Sequence, residues 1–293
     1  MSSSTSWNLG RTRITRLTEL TIDDRPASLL FPQWQQDAVN QTDTVFSQAH
    51  LSHDRQRLTV SCHSWLVQTP EHTVLIDTAC GNDKLRPDNP LFDRLQTHWL
   101  QQLRQAGVEP HQVDYVLLTH LHVDHVGWNT QLVEGQWRPT FPNARYVFSA
   151  AEYDWYAHPD NVTAPNRGLF DDSVQPLVDA GQDWRWQHGD QQPIAGFHFH
   201  RTPGHSYDHL SFSLQTDQGM ALFAGDVMHH PMQVYFPQWN SVYCEFPEQA
   251  LASRRWALEF AADHNVYYFS SHFAGASVGR IARQHHGFSW QEC

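Results

Sequence analysis

The chain has 293 residues, 40% of them hydrophobic, and a formal net charge of -12 from 31 acidic and 19 basic residues. Its 12 Trp, 16 Phe and 9 Tyr supply enough apolar surface for a core, which excludes wholesale disorder. No Lys/Arg run offsets the acidity, so neither nucleic acid nor an anionic membrane is expected as a partner. Strand-like runs, rich in Val, Ile, Phe and Tyr and bounded by Gly, Pro or Asp, fall at 12–22, 62–68, 73–77, 113–118, 144–149, 197–202, 209–215, 220–224 and 266–269. The runs at 197–202 and 210–214 alternate with period two, as half-buried strands do.

Helical segments interleave with these strands. Over 91–106, Leu91, Leu95, Trp99 and Leu103 form one stripe and Gly107 supplies a stop. Ser149 and Glu152 make a capping box that opens a helix toward Ala157, and Pro247 suits the first turn of a helix running to about Asp263. This order predicts an α/β protein, a four-layered αββα sandwich. With no internal repeat and no low-complexity linker, residues 1–293 read as one domain. Residues 26–54 are polar and Gln-rich, with scattered Phe31, Trp34 and Phe46, and are expected to be a lid or a dimer-contact arm.

The four cysteines, Cys62, Cys80, Cys244 and Cys293, have neither CxxC spacing nor framework density and read as reduced cytosolic thiols. Residues 1–20 lack the apolar core of a signal peptide, and no stretch reaches the length of a membrane span. A soluble cytoplasmic protein is expected.

The chemistry concentrates at one place. The strand at 113–118 runs into His120-x-His122-x-Asp124-His125. Three imidazoles and a carboxylate within six residues are costly unless something pairs them. Along an extended segment His120 and His122 face the same side, and the turn that follows can aim Asp124 and His125 at a second point, so one loop can serve two metals. Three further pieces follow strands directly: Thr202-Pro-Gly-His205, Ala224-Gly-Asp226 and Ser270-Ser-His272. Strand C-terminal ends are where α/β sheets build their sites. By contrast, His198 and His200 alternate inside a strand with no nearby carboxylate and read as structural. The adjacent pairs His229–His230 and His285–His286 are of a kind that is usually solvated.

Taken together, these residues resemble the metallo-β-lactamase superfamily, marked by an HxHxDH loop and a later His, Asp and His. The resemblance runs from about Trp65 to about Gly275, and Val74-Leu-Ile-Asp77-Thr-Ala-Cys-Gly81 matches the family's early Asp-containing strand and loop. It implies that His120, His122 and His205 hold one metal, that Asp124, His125 and His272 hold a second, and that Asp226 bridges them. Asp77 would orient the ligand loop. Such mixed His/carboxylate ligands suit two Zn2+ ions, with Co, Mn or Fe as alternatives.

Details separate the branches. Asp226 stands where many zinc β-lactamases carry Cys, and His122 where diiron flavoproteins carry Glu, so neither chemistry is expected. The acidic balance fits the ribonuclease members poorly. The resemblance is greatest to the branch of N-acyl homoserine lactonases and methyl parathion hydrolase. It implies hydrolysis of a lactone or carboxylic ester, including an acyl homoserine lactone, by a metal-bridging hydroxide, with a phosphotriesterase or arylesterase, or a metal-bound binding module, as alternatives. Asp124 or Asp226 would take up the proton. His229 stands where those lactonases carry a substrate-contacting Tyr, so His229 is a candidate catalytic group, with Tyr207 and Tyr235 as stand-ins. Trp128, Tyr207, Tyr235 and Phe273 are the candidate pocket walls. A homodimer is expected.

Overall fold

Runs of β-branched and aromatic residues separated by turn formers build two sheets and a small ribbon in the computed structural model, which describes residues 5–41 and 49–293. Phe46 of the expected arm lies outside the described residues. The chain divides into two units. Unit 1 comprises Met1–Glu19, Cys62–Gln191 and Thr216–Gln218, and unit 2 comprises Leu20–Ser61, Gln192–Gln215 and Gly219–Cys293.

In unit 1, β1 (Ser6–Leu9), β2 (Thr12–Pro26), β3 (Arg57–Gln68), β4 (Thr73–Ile76) and β5 (Tyr115–Leu117) precede a two-stranded ribbon, β6 (Thr130–Val133) with β7 (Gln136–Pro139). β8 (Arg145–Ser149) and β9 (Asp183–Trp186) complete a sheet ordered β1-β2-β3-β4-β5-β8-β9. The last residues of β2 and the first of β3 belong to unit 2. Strands β4, β5, β8 and β9 are mutually parallel. Their near-continuous apolar runs, Thr-Val-Leu-Ile and Tyr-Val-Leu, are what strands buried on both faces require. Parallel neighbours end at one edge. Asp77 follows β4, Thr119 and His120 follow β5 closely, and the helix Ala150–Tyr156 follows β8.

Unit 2 carries β10 (Phe197–Arg201), β11 (Leu210–Thr216), β12 (Gly219–Phe223), β13 (Tyr267–Phe269), β14 (Val278–Gln284) and β15 (Gly287–Glu292) in sequential order. Strands β12 and β13 are parallel, so Asp226 and His272 leave the same edge of that sheet. The helix Pro247–Asp263 begins at the expected proline. Its Ala257, Leu258 and Ala261 join a core with Leu222, Val227, Tyr268 and Ile281.

Several expectations change. The helix expected over 91–106 spans only Trp99–Gln105. Arg94 adopts a left-handed φ of 50°, and Asp93 Oδ1 accepts the Arg86 N–H at 2.6 Å, so the first half of the stripe is a turn with Leu91 exposed. The stop at Gly107 holds, at φ 88°. Strand β11 is buried at Leu210 through Leu214 on both faces, because Ser211 and Ser213 find side-chain partners in Thr202 and His200. Residues 26–54 are not structureless where described. Helices Ala27–Leu30 and Gln36–Asn40 place Ala27, Leu30, Phe31 and Val39 in a core with Met232 and Trp239.

Candidate metal-ligand clusters

Unit 1 holds the HxHxDH loop. His120, His122 and His125 are buried, with the His120 ring centroid 4.5 Å from that of His122 and 4.1 Å from that of His125. Asp124 is the more accessible member, its side chain 18% exposed.

Asp77 organises this loop. It adopts φ 58°, a left-handed conformation that Asp tolerates better than most residues. Its Oδ1 accepts the Thr119 N–H at 2.7 Å, and its Oδ2 accepts both the Thr119 hydroxyl at 2.9 Å and His125 Nδ1–H at 2.8 Å. Because the Thr119 hydroxyl proton goes to Asp77, Thr119 Oγ1 is the acceptor for His120 Nδ1–H at 2.9 Å. One carboxylate thus sets two tautomers, which makes Nε2 the unprotonated nitrogen in the neutral rings of His120 and His125.

Backbone anchors fix the rest. Glu152 Oε1 accepts the Leu121 N–H and Asn166 Oδ1 the Val123 N–H, each at 3.2 Å. Gly127 is required, since a Cβ there would stand 1.8 Å from the Cys80 carbonyl oxygen. Trp128 is buried and stacks on Trp99 at 5.8 Å, while its indole N–H donates to Glu19 at 2.7 Å. Glu19 also accepts from Thr97 and from the N–H groups of Cys80 and Gly81. Burial raises its pKa against the pull of those donors.

Unit 2 holds a different cluster. His205 Nε2 and His229 Nε2 each lie 3.2 Å from Asp226 Oδ2, and His272 Nε2 lies 3.0 Å from the same oxygen. His205, Asp226 and His229 form a set whose ligand atoms lie within 4.8 Å of one another. Three ring nitrogens converge on an oxygen with two lone pairs. His272 Nδ1 donates to the Ser61 carbonyl at 2.8 Å, so a neutral His272 turns its Nε2 lone pair toward the carboxylate. That arrangement is repulsive unless a proton or a cation lies between them. His209 fixes the loop: its Nε2 accepts the Asp226 N–H at 3.0 Å and its Nδ1 bonds Thr202 Oγ1 at 2.8 Å. Gly204, at φ 124°, approaches the helix Pro247–Asp263 so closely that a Cβ would stand 2.0 Å from the Ala250 nitrogen.

The pair His229–His230 is buried, not solvated. Burial lowers the His229 pKa against the pull of Asp226. Burial also lowers His230 to about 3; its Nε2 faces the His50 carbonyl and its Nδ1 accepts the Met232 N–H. His285–His286 is exposed. His200 is structural as expected, bonded to Ser213 at 2.8 Å and packed on Trp256 and Phe260. Of the aromatic candidates, Phe273 is fully buried against Trp290 and Tyr268. Tyr235 accepts the Trp290 N–H at 3.0 Å through its hydroxyl, and Tyr207 is 37% exposed beside Phe246. The sequence reading missed Thr119, Glu152, His209 and Glu19. Only His209, four residues after His205, and Thr119, beside the motif, carried a visible signal.

A family model described as the metallo-beta-lactamase superfamily matches residues 58–272. An N-acyl homoserine lactonase of Bacillus thuringiensis is 24% identical over 165 residues, which is 53% of this chain and 58% of that protein. The chain thus spans a little over half the length of that relative. Among solved structures, the hydrolase AbOPH of the beta lactamase superfamily has a TM-score of 0.83 at 24% identity, covering 100% of this chain and 98% of that one. AidC, a dizinc quorum-quenching lactonase in complex with a product, has a TM-score of 0.77 at 20% identity, covering 99% and 97%. These structural likenesses show the α/β fold expected from the sequence.

Proposed function

The chain belongs to the metallo-beta-lactamase superfamily, and from that membership we propose that it is a dinuclear metal-dependent hydrolase of a lactone or carboxylic ester. The observation that carries the reading is the control of the HxHxDH loop by Asp77, which commits two Nδ1 protons and leaves two Nε2 lone pairs as ligands. The donor chemistry of both clusters fits divalent cations. Buried imidazoles beside carboxylates suit zinc, with cobalt, manganese or iron as alternatives, and the convergence on Asp226 Oδ2 calls for positive charge.

In this reading His120, His122 and His205 hold one ion, Asp124, His125 and His272 the other, and Asp226 serves both. When bound, the ions would lower the pKa of a coordinated water to about 7 and polarise the substrate carbonyl. The protein's own groups do the rest. Asp124 or Asp226 would take up the proton of the attacking water and pass it to the leaving oxygen as the ester or lactone bond breaks. His229, whose charged form burial disfavours, is the group we assign to hydrogen-bond the substrate oxygen in place of a tyrosine. Neutral substrates suit a chain of net charge -12. The lactonase names of the relatives support an acyl homoserine lactone as the first substrate to test.

The test is hydrolysis of a panel by the purified protein and by His122→Ala. The panel comprises an acyl homoserine lactone, a plain γ-lactone, an aryl ester and a phosphotriester. Fastest turnover of a lactone or ester, lost in the variant, supports the proposal. Fastest turnover of the phosphotriester replaces the substrate class, and equal rates for parent and variant overturn the metal-dependent reading.

A further inference from the structure

Cys62 lies outside every role assigned so far. It sits on β3, is 2% exposed, and points its Sγ at Asp124 Oδ2 at 3.7 Å. Asp124 is the carboxylate of the HxHxDH loop. The distance is informative. Zinc–sulfur and zinc–carboxylate bonds run about 2.3 and 2.1 Å, and at a tetrahedral angle such ligand atoms stand about 3.6 Å apart. A buried thiol and a partly exposed carboxylate at this separation have the spacing of two ligands on one ion.

We infer that Cys62 is a further ligand, supplying its thiolate to the metal that Asp124 binds. This rests on the metal-centre reading above. When the ion enters, the sulfur–metal bond forms as the thiol proton leaves to solvent, and the cation separates two charges that would otherwise repel at 3.7 Å. A soft thiolate biases this position toward zinc or cobalt and away from manganese or magnesium. It also makes the two positions unlike each other, because the other proposed set is all nitrogen apart from the shared Asp226.

Two other cysteines lie close enough to need control. Cys80 hydrogen-bonds Cys62, and Cys244 Sγ lies 4.0 Å from His205 Nδ1. The experiment is the absorption spectrum of the full chain loaded with cobalt, for the parent, Cys62→Ser, and the triple variant Cys80→Ser/Cys244→Ser/Cys293→Ser. Visible d–d bands report bound cobalt, and a near-ultraviolet charge-transfer band reports a thiolate on it. The expected result is that the parent and the triple variant show both features, while Cys62→Ser keeps the visible bands and loses the charge-transfer band. Visible bands without the charge-transfer band in the parent overturn the assignment and leave the metal centre standing. Loss of the charge-transfer band in the triple variant overturns it too, and that spectrum decides the matter even if Cys62→Ser does not fold. Absence of visible bands in the parent overturns the metal centre itself and the ligand with it.

Discussion

The two clusters present the same residue types in opposite ways. In unit 1 a single loop supplies three imidazoles and a carboxylate from consecutive turns of chain, and one residue outside the loop, Asp77, sets the tautomers of two of them, His120 and His125. In unit 2, His205, Asp226, His229 and His272 come from three separated loops, with Asp226 and His229 on one of them, and what unites them is a single acceptor, Asp226 Oδ2. The first cluster is organised from behind by hydrogen bonds to the far side of its rings. The second is organised from the front, by convergence on a charge. Failure should therefore spread differently in each: through orientation in unit 1, through charge balance in unit 2.

The largest expected effect follows from the second pattern. Asp226→Ala removes the anion on which three Nε2 atoms converge, and metal affinity and hydrolysis should both fall by more than about 100-fold, beyond the range for residues that only orient ligands. Asp77→Asn is the corresponding change in unit 1. An amide cannot accept from both Thr119 and His125 as the carboxylate does, so metal affinity and turnover should fall about 10–100-fold, with the fold retained by circular dichroism. Equal losses in the two variants would erase the contrast drawn here.

Two smaller effects concern the scaffold. Gly127→Ala forces a Cβ onto the Cys80 carbonyl and should cost about 3 kcal/mol, the upper end for overpacking, read as a lower urea midpoint with an unchanged slope. The other concerns acid stability in unit 2. Burial holds His230 at about 3, below its ordinary 6.5. Between those values the unfolded chain binds a proton that the folded chain does not, so stability falls as pH drops below 6.5, by up to about 1.4 kcal/mol per pH unit for this one group. His230→Asn should lower stability at neutral pH yet flatten that acid slope in thermal melts from pH 7 to pH 4. An unchanged slope would remove His230 as its source.

The contrast also explains what the sequence disclosed. The HxHxDH loop was legible because its spacing lies within six residues after an apolar strand. His205, Asp226 and His272 were legible only as residues that follow strands, and the parallel pairing of β12 with β13 is what brings Asp226 and His272 to one edge. Glu152 and Glu19 were not legible as site residues, because a hydrogen bond to a backbone N–H leaves no periodic mark. The helix Pro247–Asp263 was readable from its proline and length. The stripe at 91–106 misled because Asp93 and Arg94 spend their conformations on a turn. Burial of His229 and His230 likewise came from tertiary packing that no dipeptide announces.

The central proposal is that the chain is a dinuclear metal-dependent hydrolase, and the most direct test is the metal content of the purified protein by elemental mass spectrometry, with Asp226→Ala alongside. The account predicts about two divalent ions per chain, zinc foremost, falling to one or fewer in the variant. A parent protein that binds no divalent ion when supplied with zinc, or a variant that retains both, would contradict it.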